Sequence, residues 1–253
     1  MKKDSYDELL REHSPEAIGK RLQRGGISQN ISDIILGGID GCITTFAVVA
    51  GVIGPGFSSS VAIVLGFANL IADGFSMAVS NYESSKARKE FAEGLRQIEQ
   101  EHIDKVPAGE REEIRQIFRK KGFEGDILEE IVGTISRDRH LWIETMLTEE
   151  YGIQKTDPDP VKSAVATFTA FLFVGAIPLL PFLSPLPETR YQFILSTCLA
   201  AMMFFSIGML KSLVFDMPVF ISGLRTLLTG GTAAALAFIT GFLLREIFGI
   251  GMA

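Results

Sequence analysis

Three carboxylates interrupt two otherwise uncharged apolar stretches: Asp33 and Asp40 in the first, and Asp73 in the second. A charge in hydrocarbon costs at least about 2.5–3.5 kcal/mol, so such side chains face a protein interior or a water-filled path. In either place they bind cations or relay protons. Helical geometry puts Asp33, Gly37, Asp40, Thr44, Ala47 and Gly51 on one face of the first stretch. This small, polar face suits the wall of a shared conduit at a two-fold dimer interface. Gly66, Asn69, Asp73, Met77 and Ser80 form a similar stripe in the second. Carboxylates and water alone suit Mg²⁺ or Ca²⁺, whereas the Met77 thioether adds a preference for softer transition metals. The plainer alternatives are that Met77 fills space between helices and that the aspartates are structural or pair with Arg225 or Lys162. A proton relay without metal is a further one.

A second group of possible ligands lies in the charged middle of the chain. Glu99 and His102 are three apart, as are Glu110 and Glu113, while Met146, Glu149 and Glu150 share a face of a later helix. Three helices folding together would converge these sets on a divalent ion, with Glu101 and Glu112 as auxiliary ligands. The plainer reading is a solvated acidic face paired with Arg96, Arg111 and Arg115. Glu99-Gln100-Glu101-His102 also fits the Glu-x-x-His element of carboxylate-bridged di-iron bundles. Those bundles need two such elements, and neither His13 nor His140 has a Glu three residues before it.

Residues 31–82 carry only Asp33, Asp40 and Asp73 as charges, and residues 161–210 only Lys162, Glu188 and Arg190. Residues 83–160 are crowded with both signs. The pattern predicts membrane helices near 31–55, 60–82, 161–183, 191–210 and 224–247, each long enough for the roughly 20 residues a span needs. The short loop from Gly54 to Ser60 makes the first two a tight antiparallel hairpin. The fold class expected is an all-α membrane protein with five transmembrane helices and a cytoplasmic helical metal-binding insert between the second and third. Its parts are a cytoplasmic segment 1–30, transmembrane helices 31–82, the insert 83–160 and transmembrane helices 161–253. Within the insert, the second span continues to about residue 104. Helices follow over 110–121, 124–136 and 138–151, and Asp157-Pro158-Asp159-Pro160 forms a stiff linker.

Lys20, Arg21, Arg24, Lys86, Arg88, Lys89, Lys211 and Arg225 fall on one side of this topology, against Arg190 and Arg245 on the other. The positive-inside rule then places the insert in the cytoplasm and the carboxyl terminus outside. The first thirty residues lack an apolar signal-peptide core, and the first span is expected to direct insertion. A formal net charge of −6 argues against a nucleic-acid partner. Cys42 and Cys198 have no metal-site spacing and read as reduced, structural residues.

These motifs resemble the vacuolar iron transporter family, which includes the yeast calcium/manganese cross-complementer and prokaryotic relatives. The resemblance runs over roughly residues 30–250. It rests on Asp33-x6-Asp40-Gly41, on Ala72-Asp73-Gly74-Phe75-Ser76-Met77-Ala78, and on Gly175-Ala176-Ile177-Pro178-Leu179-Leu180-Pro181. Trp142, Met146, Glu150 and Gly152 resemble the end of the family's cytoplasmic metal-binding domain. The resemblance implies a homodimer in membrane lipid, with a conduit lined by the first two helices of each subunit. The implied activity is proton-coupled export of Fe²⁺, often with Mn²⁺, from the cytoplasm. It assigns Asp33, Asp40 and Met77 to the transport path and Glu99, Glu110, Glu113, Met146 and Glu150 to metal collection. Plant-type members carry Glu where this chain has Asn69, and a Glu upstream of the first span near Gln29; Asp73 stands one turn from Asn69 as a substitute. His102 and Leu147 also depart from that pattern, which bears on metal preference. No prosthetic group is expected; Fe²⁺ or Mn²⁺ is the bound and transported ion. The membrane expected is a prokaryotic inner membrane, or a vacuolar one in a eukaryote. The rival classes are a membrane-anchored metal sensor or scaffold without flux, and a ferritin-like di-iron oxidase.

Overall fold

The computed structural model describes residues 10–24, 29–153, 159–185, 188–215 and 218–249. All regular structure among them is helical: α1 Pro15–Arg24, α2 Gln29–Ile53, α3 Ser59–Lys105, α4 Pro107–Lys120, α5 Gly125–Arg137, α6 Arg139–Glu149, α7 Pro160–Ala176, α8 Thr189–Phe215 and α9 Val219–Phe248. A 3₁₀ segment, Ile177–Leu183, extends α7. Five of these stretches are long and apolar enough to cross a membrane: α2, α3, α7 with its extension, α8 and α9. The chain divides into two compact units, Met1–Glu83 with Pro160–Ala253, and Ser84–Asp159.

Several helices outrun the expected spans. α8 and α9 begin before 191 and 224, and α8 runs past 210. Hydropathy falls at Lys211 and Arg225, but a charged side chain leaves the backbone ladder intact, so the helix continues through it. The third span does the opposite and loses α-helical geometry at Ala176. Pro178 and Pro181 have no N–H for the preceding turn, and the chain tightens into 3₁₀ geometry. The Ser196 hydroxyl donates to the Pro178 carbonyl at 2.7 Å, supplying the partner that the ladder lacks there.

Two apolar clusters fill the first unit. One gathers Val49, Val52, Leu70, Phe171, Leu179 and Phe182; the other gathers Cys42, Phe46, Ala200, Phe204 and Ala234. Ile71, Phe75, Phe173, Phe220, Leu228 and Leu236 point outward, as side chains facing lipid would.

The hairpin loop places α2 and α3 in sequence, but the tightest partner of α2 is α7. A Cβ on Gly37 would lie 2.3 Å from the Thr167 carbonyl oxygen, and one on Gly41 2.5 Å from that of Phe171. From the other side, a Cβ on Gly175 would lie 2.7 Å from the Gly41 oxygen. Apolar helices gain no hydrophobic drive against each other in lipid, so close backbone approach through small residues does the packing. Part of the small stripe on α2 therefore serves helix packing: Gly37 seats α7, and Gly51 lies against α9 near Ala237. Gly41→Leu is expected to cost more than about 3 kcal/mol, the upper end for overpacking, because the obstruction is backbone and cannot rotate away. Folded yield and thermal midpoint in detergent would measure it.

The second unit has its own core of Ile103, Ile114, Leu128, Val132, Trp142, Ile143, Met146 and Leu147. α4 starts at Pro107, three residues ahead of the expected Glu110, because a proline fits the first turn of a helix where no N–H partner exists. Gly122 closes that region with φ +95. The Asp138 side chain caps α6 by accepting from the N–H groups of His140 and Leu141 at 2.9 and 3.1 Å. Of the expected linker, Asp157 and Pro158 lie outside the described residues.

Candidate functional site

Each unit carries its own candidate cluster. In the first, α2 buries Asp33 to 5% exposure. Its Oδ1 accepts from Asn81 Nδ2 of α3 at 2.9 Å, whereas Oδ2 is buried without a partner among the described residues. Two turns along, Asp40 is half-buried and close enough to Asp73 of α3 for the two charges to repel. Asn69 is half-buried, and among the described residues its Nδ2 also lacks a partner. Met77 packs against the cluster containing Val49, Phe171 and Leu179, so in this conformation it fills space between helices. The stripe expected on α3 ended at Ser80, but Ser80 is exposed and its neighbour Asn81 makes the polar contacts. Asn81 follows Met77 by four residues, and that spacing was the available signal.

In the second unit, α3 and α4 bring Glu99 and Glu110 together in the interior, at 1% and 2% exposure. The carboxyls are within hydrogen-bonding reach of each other. The Tyr151 hydroxyl donates to Glu99 Oε1 at 3.1 Å, and His102 Nδ1 lies 3.3 Å from Glu110 Oε1. Each glutamate keeps an Oε2 buried without a partner among the described residues. Burial pushes Glu110 up to about 7, helped by the charges of Glu99 and Glu113 and opposed by His102. Glu150 is raised too, by its burial and then by Glu113 and Glu99. The Tyr151 phenol is pushed above its ordinary range, first by burial and then by its bond to Glu99.

Glu99, His102, Glu110, Glu113 and Glu150 therefore share one electrostatic neighbourhood. Tyr151, which sequence reasoning missed, joins them; it lies beyond the last helical turn, where spacing gives no guide. Glu101 and Glu149 stand apart in surface ion pairs with Lys105 and Lys121. Glu112 is likewise held by Arg115. Glu144, also unforeseen, is mostly buried in a 2.7 Å pair with Arg96.

As the side chains stand, no three His, Cys, Asp or Glu among the described residues form a ready-made ligand set. Carboxylates of like charge turn toward the nearest donor when nothing positive lies between them, and here His102 and Tyr151 are those donors. The chemistry still fits a divalent ion, because two buried carboxylates with bare oxygens form an acceptor pair that a cation would satisfy. Met146 is fully buried in the apolar core of this unit. Met146→Leu keeps the volume and is expected to cost under about 1.5 kcal/mol. If the thioether also ligates, the same change lowers the affinity ratio of Fe²⁺ over Mg²⁺ in equilibrium binding.

Residues 31–242 match the profile of the VIT family. The chain belongs to that family. The VIT match covers α2 through most of α9 and includes both clusters. Among its relatives, Vacuolar iron transporter 1 of Eucalyptus grandis is 32% identical over 212 residues, covering 82% of this chain and 84% of its own. Vacuolar iron transporter of Toxoplasma gondii is 29% identical over 98% of this chain and 83% of its own length. Vacuolar iron transporter 1 of Arabidopsis thaliana is 29% identical over 82% and 83% respectively. These VIT proteins carry the names of transporters, not of enzymes, which removes the di-iron oxidase from contention.

Proposed function

We propose that this VIT-family protein exports Fe²⁺, and also Mn²⁺, from the cytoplasm in exchange for protons. The observation that carries the reading is the bare, buried Oδ2 of Asp33 beside two further intramembrane carboxylates that repel each other. Three acids in an apolar setting are costly unless a cation or protons visit them. The charge asymmetry of the loops supports a cytoplasmic 84–159 unit, which collects the ion on Glu99, Glu110, Glu113 and Glu150, with His102 and Met146 as softer ligands. Asp33, Asp40, Asp73, Asn69 and Met77 then form the path through α2 and α3, in a homodimer. Ion and proton compete for the same oxygens, because a carboxylate must lose its proton to bind metal. That competition couples the two fluxes. The relatives named as iron transporters support the choice of ion.

The test is uptake into proteoliposomes of Fe²⁺, Mn²⁺, Mg²⁺ and Ca²⁺, with and without an imposed pH gradient. Gradient-driven uptake of Fe²⁺ and Mn²⁺ but not of Mg²⁺ or Ca²⁺ is the expected result. Metal binding by folded protein without any flux would replace the exporter with a membrane-anchored sensor.

A further inference from the structure

Asn81 sits at the crossing of three helices. Its Nδ2 lies 2.9 Å from Asp33 Oδ1 on α2 and 2.7 Å from Thr167 Oγ1 on α7, with the Ser163 carbonyl oxygen at 3.4 Å. The Thr167 hydroxyl donates to that same Ser163 carbonyl at 3.0 Å, so toward Asn81 it can only accept. The amide orientation follows: both acceptors need the nitrogen, and the flipped amide would set an oxygen against a carboxylate. The two short bonds thus commit one amide hydrogen to Asp33 and the other to Thr167, with the Ser163 carbonyl as a longer third contact.

The consequence for Asp33 is asymmetric. Oδ1 is committed to Asn81, while Oδ2 is buried and has no partner among the described residues. An aspartate held only by its own rotamers would present both oxygens in several orientations. Here the carboxylate is pinned at one oxygen and offers the other. Outer partners of this kind fix ligand orientation at metal sites, and removing one costs about 10–100-fold in affinity.

We propose that Asn81 is a positioning residue, anchored by Thr167, that holds Asp33 with Oδ2 presented to the passing cation. The proposal rests on the transport reading above. It requires that Asn81 act through Asp33 without touching the ion, and that the Thr167 hydroxyl, not its methyl group, be the useful part of that side chain.

Fe²⁺ uptake under anaerobic conditions is measured over a range of Fe²⁺ concentrations in proteoliposomes of wild type, Asp33→Ala, Asn81→Leu, Thr167→Val and Thr167→Ser. Asn81→Leu is expected to raise KM about 10-fold or more, with the maximal rate per folded protein within about threefold of wild type. Thr167→Val is expected to raise KM by a smaller factor, and Thr167→Ser to behave as wild type. A packing role reverses that order, because Val keeps the volume and Ser removes a methyl group. Thr167→Ser proving worse than Thr167→Val would therefore overturn the proposal. So would an Asn81→Leu KM within about twofold of wild type while Asp33→Ala loses uptake. If Asn81→Leu does not fold, the Thr167 pair decides. Wild-type vesicles with folded protein and no flux would instead remove the transport reading itself, a result distinct from either.

Discussion

Asp40→Ala is expected to abolish gradient-driven Fe²⁺ uptake while leaving metal binding by the 84–159 unit intact. Asp40 and Asp73 are close enough to repel, so a cation bound by both would remove a repulsion and gain two ligands at once. With Asp40 gone, Asp73 is left as a lone acid and the middle of the path has half its charge. The loss should be at least about 100-fold, the upper end of what even an outer-sphere partner costs a metal site. Asp40→Asn tests charge apart from volume and is expected to fail as badly, whereas Asp40→Glu should retain measurable flux. Initial rates per folded protein decide it, and transport by Asp40→Ala at the normal rate would sink the proposed path.

Glu110→Gln should change the second unit in two opposite ways. Glu110 is raised to about 7 from an ordinary 4.5, so between those values the folded state binds more protons than the unfolded one. Stability of the ion-free unit is then greatest at or below about pH 4.5 and is lost as pH rises through about 7. The amide cannot ionise, so the variant should lose this fall and melt higher than wild type at pH 8. Metal affinity runs the other way. In wild type it should climb with pH by up to about tenfold per unit until about 7, because a proton must leave before the ion enters. Glu110→Gln should bind at least about 10-fold more weakly, with this share of the pH slope gone. Thermal midpoints and Mn²⁺ titrations from pH 5 to pH 8 would follow both. A flat wild-type profile would mean that Glu110 is already ionised at pH 5.

The five apolar stretches and the intramembrane acids were visible in the sequence because charge is rare in hydrocarbon and each exception stands out. Helix ends were less visible, since hydropathy stops at Lys211 and Arg225 while the backbone ladder does not. The small face of α2 was read as one stripe, yet its members divide between tasks. A glycine at helical spacing serves a polar path and a packed backbone equally well, and only the position of α7 separates the two. In the charged segment, spacing brought out Glu99, His102, Glu110, Glu113 and Glu150. It grouped Glu149 with them and kept Glu101 and Glu112 as auxiliary ligands, whereas these three found a lysine or an arginine instead. Burial sets Glu99 and Glu110 apart from the rest, and burial depends on how α3 to α6 fold around Ile114 and Met146.

The glycine contacts also govern how this sequence can drift. Gly37, Gly41 and Gly175 join α2 to α7, and Gly208 meets Gly223 where α8 meets α9; an added Cβ on the first four would come within 3 Å of backbone, and one on Gly223 within 3 Å of the Phe205 ring. Shape at a handful of positions thus does what bulky side chains do in a water-soluble core. A deep mutational scan of the membrane unit should therefore be sparse. Long lipid-facing runs of Leu, Ile, Val and Phe would exchange with little effect, punctuated by single columns where even alanine is lost. The function of the protein would then be inherited through a few residues that have no side chain at all.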